Sequence, residues 1–260
     1  MTFLQHLEEL RWHLFRGVVA IFAVAIAAFL FKDFLFDKII LAPGYSDFPM
    51  NRLMCHLADY TQMHSLCINK VPLKFQNISM SGQFTTHIWV SFVAGFIVAF
   101  PYIFWELWWF IKPALHENEQ KVSRGAIGVV SLLFIVGVLF GYYMIMPFSL
   151  DFLGTYKVSE SVENIITLDS YISTLTGIVL ASGVLFEMPV LIYFLAKIGL
   201  VSSSFLRKYR RHAIVVVVIL AAVITPPDVV SQIMVCVPLV FLYEISILVA
   251  KNLERKRAKA

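Results

Sequence analysis

Six apolar runs divide this chain, and four of them are long enough to leave water altogether. About 20 apolar residues, rising about 1.5 Å each, cross about 30 Å of hydrocarbon. The first run is Gly17–Phe31, continuing more weakly to Phe36. The second is Phe84–Phe104, containing His87 and Pro101, and the third is Ala126–Met146. The fourth is Ile172–Leu195, containing Glu187. The last two are shorter: Ala213–Thr225 offers 13 residues before Pro226-Pro227-Asp228, and Val229–Tyr243 is likewise short before Glu244, beyond which the basic tail is expected to continue as helix in water. With 59% hydrophobic and 15% charged residues, against about 45–50% and 25% in soluble domains, the chain suits lipid as its solvent. The expected fold is an all-α membrane protein with six transmembrane helices, of which the fifth and sixth are short.

Lysine and arginine set the orientation, because cytoplasmic loops retain them. One alternate set of segments holds Arg11, Arg16, Lys112, Lys121, Arg124, Lys197, Arg207, Lys208, Arg210, Arg211 and the tail from Lys251 to Lys259, fifteen cations in all. The other set holds Lys32, Lys38, Arg52, Lys70, Lys74 and Lys157. The first set is therefore cytoplasmic, and six spans then place both termini inside. The whole chain, 1–260, reads as one integral membrane domain. Its cytoplasmic parts are residues 1–16, 105–125, 197–212 and 250–260; its periplasmic parts are a large loop, 32–80, and a smaller one, 148–170.

The N-terminus does not read as a removable signal: Glu8 and Glu9 sit among its basic residues, and the apolar run behind it has no clean stop, although Ala25-Ile26-Ala27 mimics a cleavage site. Phe3, Leu7, Leu10 and Leu14 recur at helical spacing, and Thr2 with Gln5 matches a capping box. The segment predicts a short amphipathic helix at the inner surface that bends into the first span.

Enzymatic signatures are missing: no Walker loop, HExxH, nucleophile elbow or dinucleotide fingerprint occurs. The chain therefore predicts no catalytic residue, and it calls for no cofactor. A net charge of +4 is too small and too scattered for nucleic acid. Cys55, His56, His64 and Cys67 gather in one loop at no standard zinc spacing; a disulfide between Cys55 and Cys67 is the competing reading, since the loop faces an oxidising compartment. Cys236 reads as a small packing residue. Glu187 costs about 2.5–3.5 kcal/mol at membrane depth, so it must face protein or water, either in a functional role or hydrogen-bonded to a neighbouring helix. Glu8, Glu9, Glu117 and Glu119 form a cytoplasmic acidic group near Trp105, Trp108, Trp109 and Phe110. Taken one at a time they also fit ordinary solvated charge, and the aromatics an interfacial belt. A proton-coupled secondary transporter using Glu187 is the alternative function, though no internal repeat supports it. An intramembrane hydrolase lacks a nucleophile–base pair.

Taken in order, four stretches resemble the TatC family, the multispanning subunit of the twin-arginine protein translocase. They are His6-Leu7-Glu8-Glu9-Leu10-Arg11; Phe110-Ile111-Lys112-Pro113-Ala114-Leu115 with Glu119; Phe186-Glu187-Met188-Pro189; and Thr225-Pro226-Pro227-Asp228 with Ser231-Gln232. Only the long first outer loop, Asp33–Ser79, departs from the pattern. The resemblance implies a non-enzymatic receptor in the bacterial inner membrane, binding twin-arginine signal peptides of folded cargo. It further implies recruitment of single-span TatA- and TatB-type partners, further copies of the chain itself, and transport driven by the proton-motive force. By position it assigns Glu9, Glu119 and Phe110 to the signal peptide. Glu187 takes the polar intramembrane position, and Thr225 and Gln232 the partner contact. Physical chemistry limits what the carboxylates can do. Arginine's planar fork engages a carboxylate in two parallel bonds, but exposed ion pairs contribute only about 0.2–1 kcal/mol each, whereas a micromolar complex needs about 8 kcal/mol. The acidic residues can select a signal; its apolar stretch must supply most of the affinity.

Overall fold

The computed structural model describes residues 3–63, 67–69, 74–111, 123–162, 164–225 and 229–257. Its helices are α1 (Phe3–Leu30), α2 (Pro49–Thr61), α3 (Gly82–Ile111), α4 (Ser123–Phe140), α5 (Met146–Thr155), α6 (Leu168–Phe186), α7 (Met188–Lys197), α8 (Ser203–Lys208), α9 (Arg210–Ile224) and α10 (Val229–Arg257). A π-helical turn, Phe34–Ile40, follows α1, and another, Gly141–Ile145, joins α4 to α5. A 3₁₀ turn, Ala42–Gly44, lies before α2, and two-residue strands β1 (Phe75–Gln76) and β2 (Ile166–Thr167) form a two-stranded sheet. Among the described residues, five helices are long and apolar enough to cross a membrane: Glu8–Leu30, Gly82–Phe110, Ile127–Thr155, Leu168–Lys197 and Val229–Arg255.

Three boundaries differ from the sequence reading. Residues 3–30 form one helix, so the amphipathic segment and the first span are a single element with no break between them; neither Pro nor Gly-rich sequence interrupts the ladder at Arg16–Gly17. The second span does not end at Phe104 but continues as helix to Ile111, because aromatic and leucine side chains sustain it past Glu106. The sixth run, short when measured to Glu244, belongs to a helix of 29 residues. Glu244 does not stop it, since glutamate is a good helix former; its carboxylate pairs with Arg210 of α9.

The chain forms two compact units. The first comprises Met1–Leu41, Phe75–Ile135 and Thr167–Thr176. Its main contact is α1 against α3, and Gly95 explains how close that contact is. A Cβ there would stand 2.7 Å from the Ile21 carbonyl oxygen and 3.0 Å from the Ala25 Cβ, so only glycine lets the two backbones approach. Phe134, wholly buried, stacks on Phe100 at 3.6 Å between ring centres and meets Phe96 edge-on, fastening α4 to α3. Tyr171 donates to the Ile40 carbonyl at 2.5 Å and Trp89 to Thr176 at 3.2 Å. The first of these bonds satisfies the hydroxyl of a tyrosine that is 2% exposed.

The second unit comprises Ala42–Lys74, Val136–Ile166 and Gly177–Ala260. Gly137 and Gly141 give α4 and the π-helical turn their close passage past α6: a Cβ on Gly137 would lie 2.6 Å from the Ser182 carbonyl oxygen. Around α7, α8 and α10, Ile192, Ala196, Leu206, Tyr243, Ile247 and Ala250 form a buried cluster. Tyr243 donates to the Leu206 carbonyl at 2.9 Å, and Glu254 accepts from the Ser203 amide at 2.6 Å and from its hydroxyl at 2.5 Å. In the loop before β1, Asn69 holds a left-handed backbone with φ 49°. Its side chain donates to the Pro147 carbonyl at 2.9 Å and to Asn51 at 3.3 Å, while its amide donates to Asp151 at 2.9 Å.

Candidate functional site

Glu9 lies on α1, half-buried, and makes no hydrogen bond or ion pair among the described residues. One turn further along the same face is His13, whose Nδ1 stands 2.5 Å from Glu106 Oε2 on α3. The other oxygen of Glu106 accepts from the Tyr102 hydroxyl at 2.7 Å, and Arg16 Nη1 approaches Oε2 to 3.9 Å. The His13 ring also meets the Phe110 ring edge-on at 6.4 Å. Because α1 and α3 run antiparallel, stepping four residues back from His13 and four on from Glu106 moves the same way. Both steps rise about 6 Å, and Glu9 and Phe110 therefore arrive at one corner. The Gly95 crossing lies about 16 Å down the same helix pair, so the close backbone approach below sets the register above.

Beside this cluster, Phe15, Arg16, Val19, Ala20, Ala23 and Tyr102 line an open, largely apolar groove of about 300 Å³. The small Ala20 and Ala23 side chains, at helical spacing from Arg16, create the hollow.

Of the three residues assigned to the signal peptide, two thus share a corner, while Glu119 lies outside the described residues. Glu187 sits, half-buried, in the turn between α6 and α7. Its carbonyl accepts from the Val190 and Leu191 amides at 3.0 Å each, and Pro189, lacking an N–H, explains why the helix restarts there. Thr225 ends α9, 5% exposed, with its hydroxyl on the Ala221 carbonyl at 2.9 Å. Gln232, in the first turn of α10, reaches the Val218 carbonyl of α9 at 3.5 Å. These two therefore belong to one hairpin, whose turn, residues 226–228, is outside the described set. Cys55 and Cys67 are joined by a disulfide, and His64 lies outside the described residues.

The sequence reading missed Glu106 and His13. The signal was present: a carboxylate within an apolar helix, only one turn before Phe110. Ending the second span at Phe104 hid it by assigning Glu106 to a solvated loop.

Residues 5–238 match the family model for the Sec-independent protein translocase protein (TatC). The chain belongs to the TatC family. A TatC protein of Blattabacterium from Periplaneta americana is 43% identical over 99% of this chain and 97% of its own length. TatCy of Bacillus subtilis is 33% identical, covering 100% of this chain and 92% of the relative. Two crystal structures described as twin arginine translocase receptor TatC are similar in fold. One gives a TM-score of 0.68 at 30% identity, with 96% and 99% of the two chains covered, and the other 0.72 at 31%, with 94% and 98% covered. As a TatC-family protein the chain is a multi-pass bacterial membrane protein and a translocase component, not an enzyme.

Proposed function

We propose that this chain is the receptor subunit of the twin-arginine translocase and that it reads signal peptides at the corner where α1 and α3 bring Glu9 and Phe110 together. The observation that carries this reading is the antiparallel α1–α3 pair, with His13 touching both Glu106 and Phe110 one turn from Glu9. Glu9 is left with no partner among the described residues, as a carboxylate awaiting a guanidinium would be. Glu119 follows α3 by eight residues, and it supplies the second carboxylate. The groove along Val19, Ala20 and Ala23 receives part of the signal's apolar stretch, which the energetics require to hold the complex.

In this reading α9 makes the sixth crossing, and both termini are cytoplasmic. TatA- and TatB-type helices dock at the α9–α10 hairpin through Thr225 and Gln232, and Glu187 offers a polar contact to a partner helix within the membrane. Transport draws on the proton-motive force. Cysteine crosslinks from position 187 to a partner helix are expected; crosslinks confined to other positions would remove that contact from the scheme.

The decisive experiment compares signal peptides with paired arginines and paired lysines. Glu119→Ala should weaken binding of the arginine peptide by several-fold, the size of an exposed ion pair, and leave the lysine control nearly unchanged. An equal loss for both would rule out selective readout by that carboxylate. Filling the groove with Ala23→Phe should weaken both peptides alike.

A further inference from the structure

Glu106 is the one acidic residue in the interior of α3, and its side chain is only 13% exposed, yet three side chains on two helices converge on it. Two come from α1, His13 at 2.5 Å and Arg16 at 3.9 Å, and one from α3 itself, Tyr102 at 2.7 Å. His13 in turn carries the contact on to the Phe110 ring. Polar groups from both helices thus meet at a single carboxylate where α1 packs on α3. The Arg16 side chain remains 59% exposed, so it contributes less than the half-enclosed His13 bridge. Each oxygen of this carboxylate already has a neighbour within the helix pair, Tyr102 on Oε1 and His13 on Oε2. Its consequence is geometric: Glu9 is one turn beyond His13 and Phe110 one turn beyond Glu106, so any rotation of α1 on α3 at this bridge separates the two.

We infer that Glu106, acting through His13, is a positioning residue that fixes the rotation of α1 against α3 and so holds Glu9 and Phe110 in the arrangement that selects the signal peptide. The inference rests on the proposed signal-binding role of that corner and deepens it. Glu106 itself touches no part of the peptide. Gly95 sets how near the helices come; the Glu106–His13 bridge sets how they are turned.

A double-mutant cycle with Glu9 separates this role from direct contact, because residues acting through one another are not additive whereas independent contacts are. Glu106→Ala should weaken a twin-arginine peptide by about tenfold in the native background and by less than about twofold in the Glu9→Ala background. Glu106→Gln, which keeps the shape and an acceptor for His13, should restore most of the affinity. Equal losses in both backgrounds would overturn the inference in favour of a direct contact. A second measurement needs no peptide. Spin labels at Glu8→Cys and Leu107→Cys, with Cys236→Ser, should give a narrow distance distribution that broadens with Glu106→Ala and stays narrow with Glu106→Gln. An unchanged distribution in a normally melting Glu106→Ala protein would refute the positioning role whatever the peptide does. A broadened distribution together with a Glu9→Ala protein that binds normally would instead retain the positioning role and refute the signal-binding reading of the corner.

Discussion

Single polar side chains do much of the organising in this molecule, since a hydrogen bond unmade in a buried site has no water to replace it. Asn69 is the clearest case. It is 6% exposed, holds φ 49°, and ties together Asn51, Pro147 and Asp151. Asn69→Ala leaves the Pro147 carbonyl and the Asn51 amide oxygen short of a donor, and should cost about 1–3 kcal/mol. Asn69→Gly loses the same side-chain bonds but takes a positive φ without steric cost, so its thermal midpoint in detergent should lie above that of the alanine variant. The reverse order would show that the backbone conformation contributes nothing. Residues of this kind were only partly legible in the sequence. Glu187 stood out because apolar neighbours flank it on both sides; the residues alone grouped Glu9 loosely with the aromatics around Phe110, and only the family resemblance singled out those two. Asn69 gave no signal at all, because its three partners lie 18 to 82 positions away and no local pattern encodes them.

Helices were far easier to read than their ends. Long apolar runs announce themselves by composition, and the four read as long are among the five long apolar helices of the described residues; the fifth of these, Val229–Arg255, was read as short. Span ends were read short of charged residues that the structure pairs across helices, Glu106 with His13 and Glu244 with Arg210, and that information is tertiary. Close helix passage is equally hidden, because a glycine at a crossing and a glycine facing lipid look alike in sequence. Gly95 and Gly128 test the distinction. A side chain at 95 would run into the Ile21 backbone, while at 128 nothing stands within 4 Å. Gly95→Leu should push α1 off α3, destabilise the protein by about 1–3 kcal/mol and reduce signal-peptide affinity with it. Gly128→Ala should leave binding unchanged and raise the thermal midpoint slightly, in line with the gain of about 0.8–1 kcal/mol for alanine over glycine within a helix. Equal effects at the two positions would mean that the α1–α3 passage does not depend on a bare backbone.

At the scale of the whole molecule, the lengths of the helices are unequal, and the bilayer must respond. Helix α9 has 15 residues, about 22 Å at the usual rise, whereas α3 and α10 have 30 and 29, about 45 Å. If α9 makes the sixth crossing, it falls about 8 Å short of a hydrocarbon layer about 30 Å thick, and tilting only increases the shortfall. The long helices are free to tilt or to extend into water, as the Ser203–Glu254 and Arg210–Glu244 contacts of α10 do with polar partners. The lipid beside α9 must therefore thin, at a cost of fractions of a kcal/mol for each ångström of mismatch. Thinning is cheaper in a bilayer that is already thin, so the thermal midpoint should rise as the protein is moved from lipids with 18-carbon chains to lipids with about 14-carbon chains. Lengthening α9 by one turn, with Val-Leu-Ala-Leu inserted after Val218, should move the optimum toward thicker bilayers even if the insertion lowers stability overall. A stability optimum in thick bilayers for the native chain, or one that ignores the insertion, would place α9 outside the set of crossing helices and leave five.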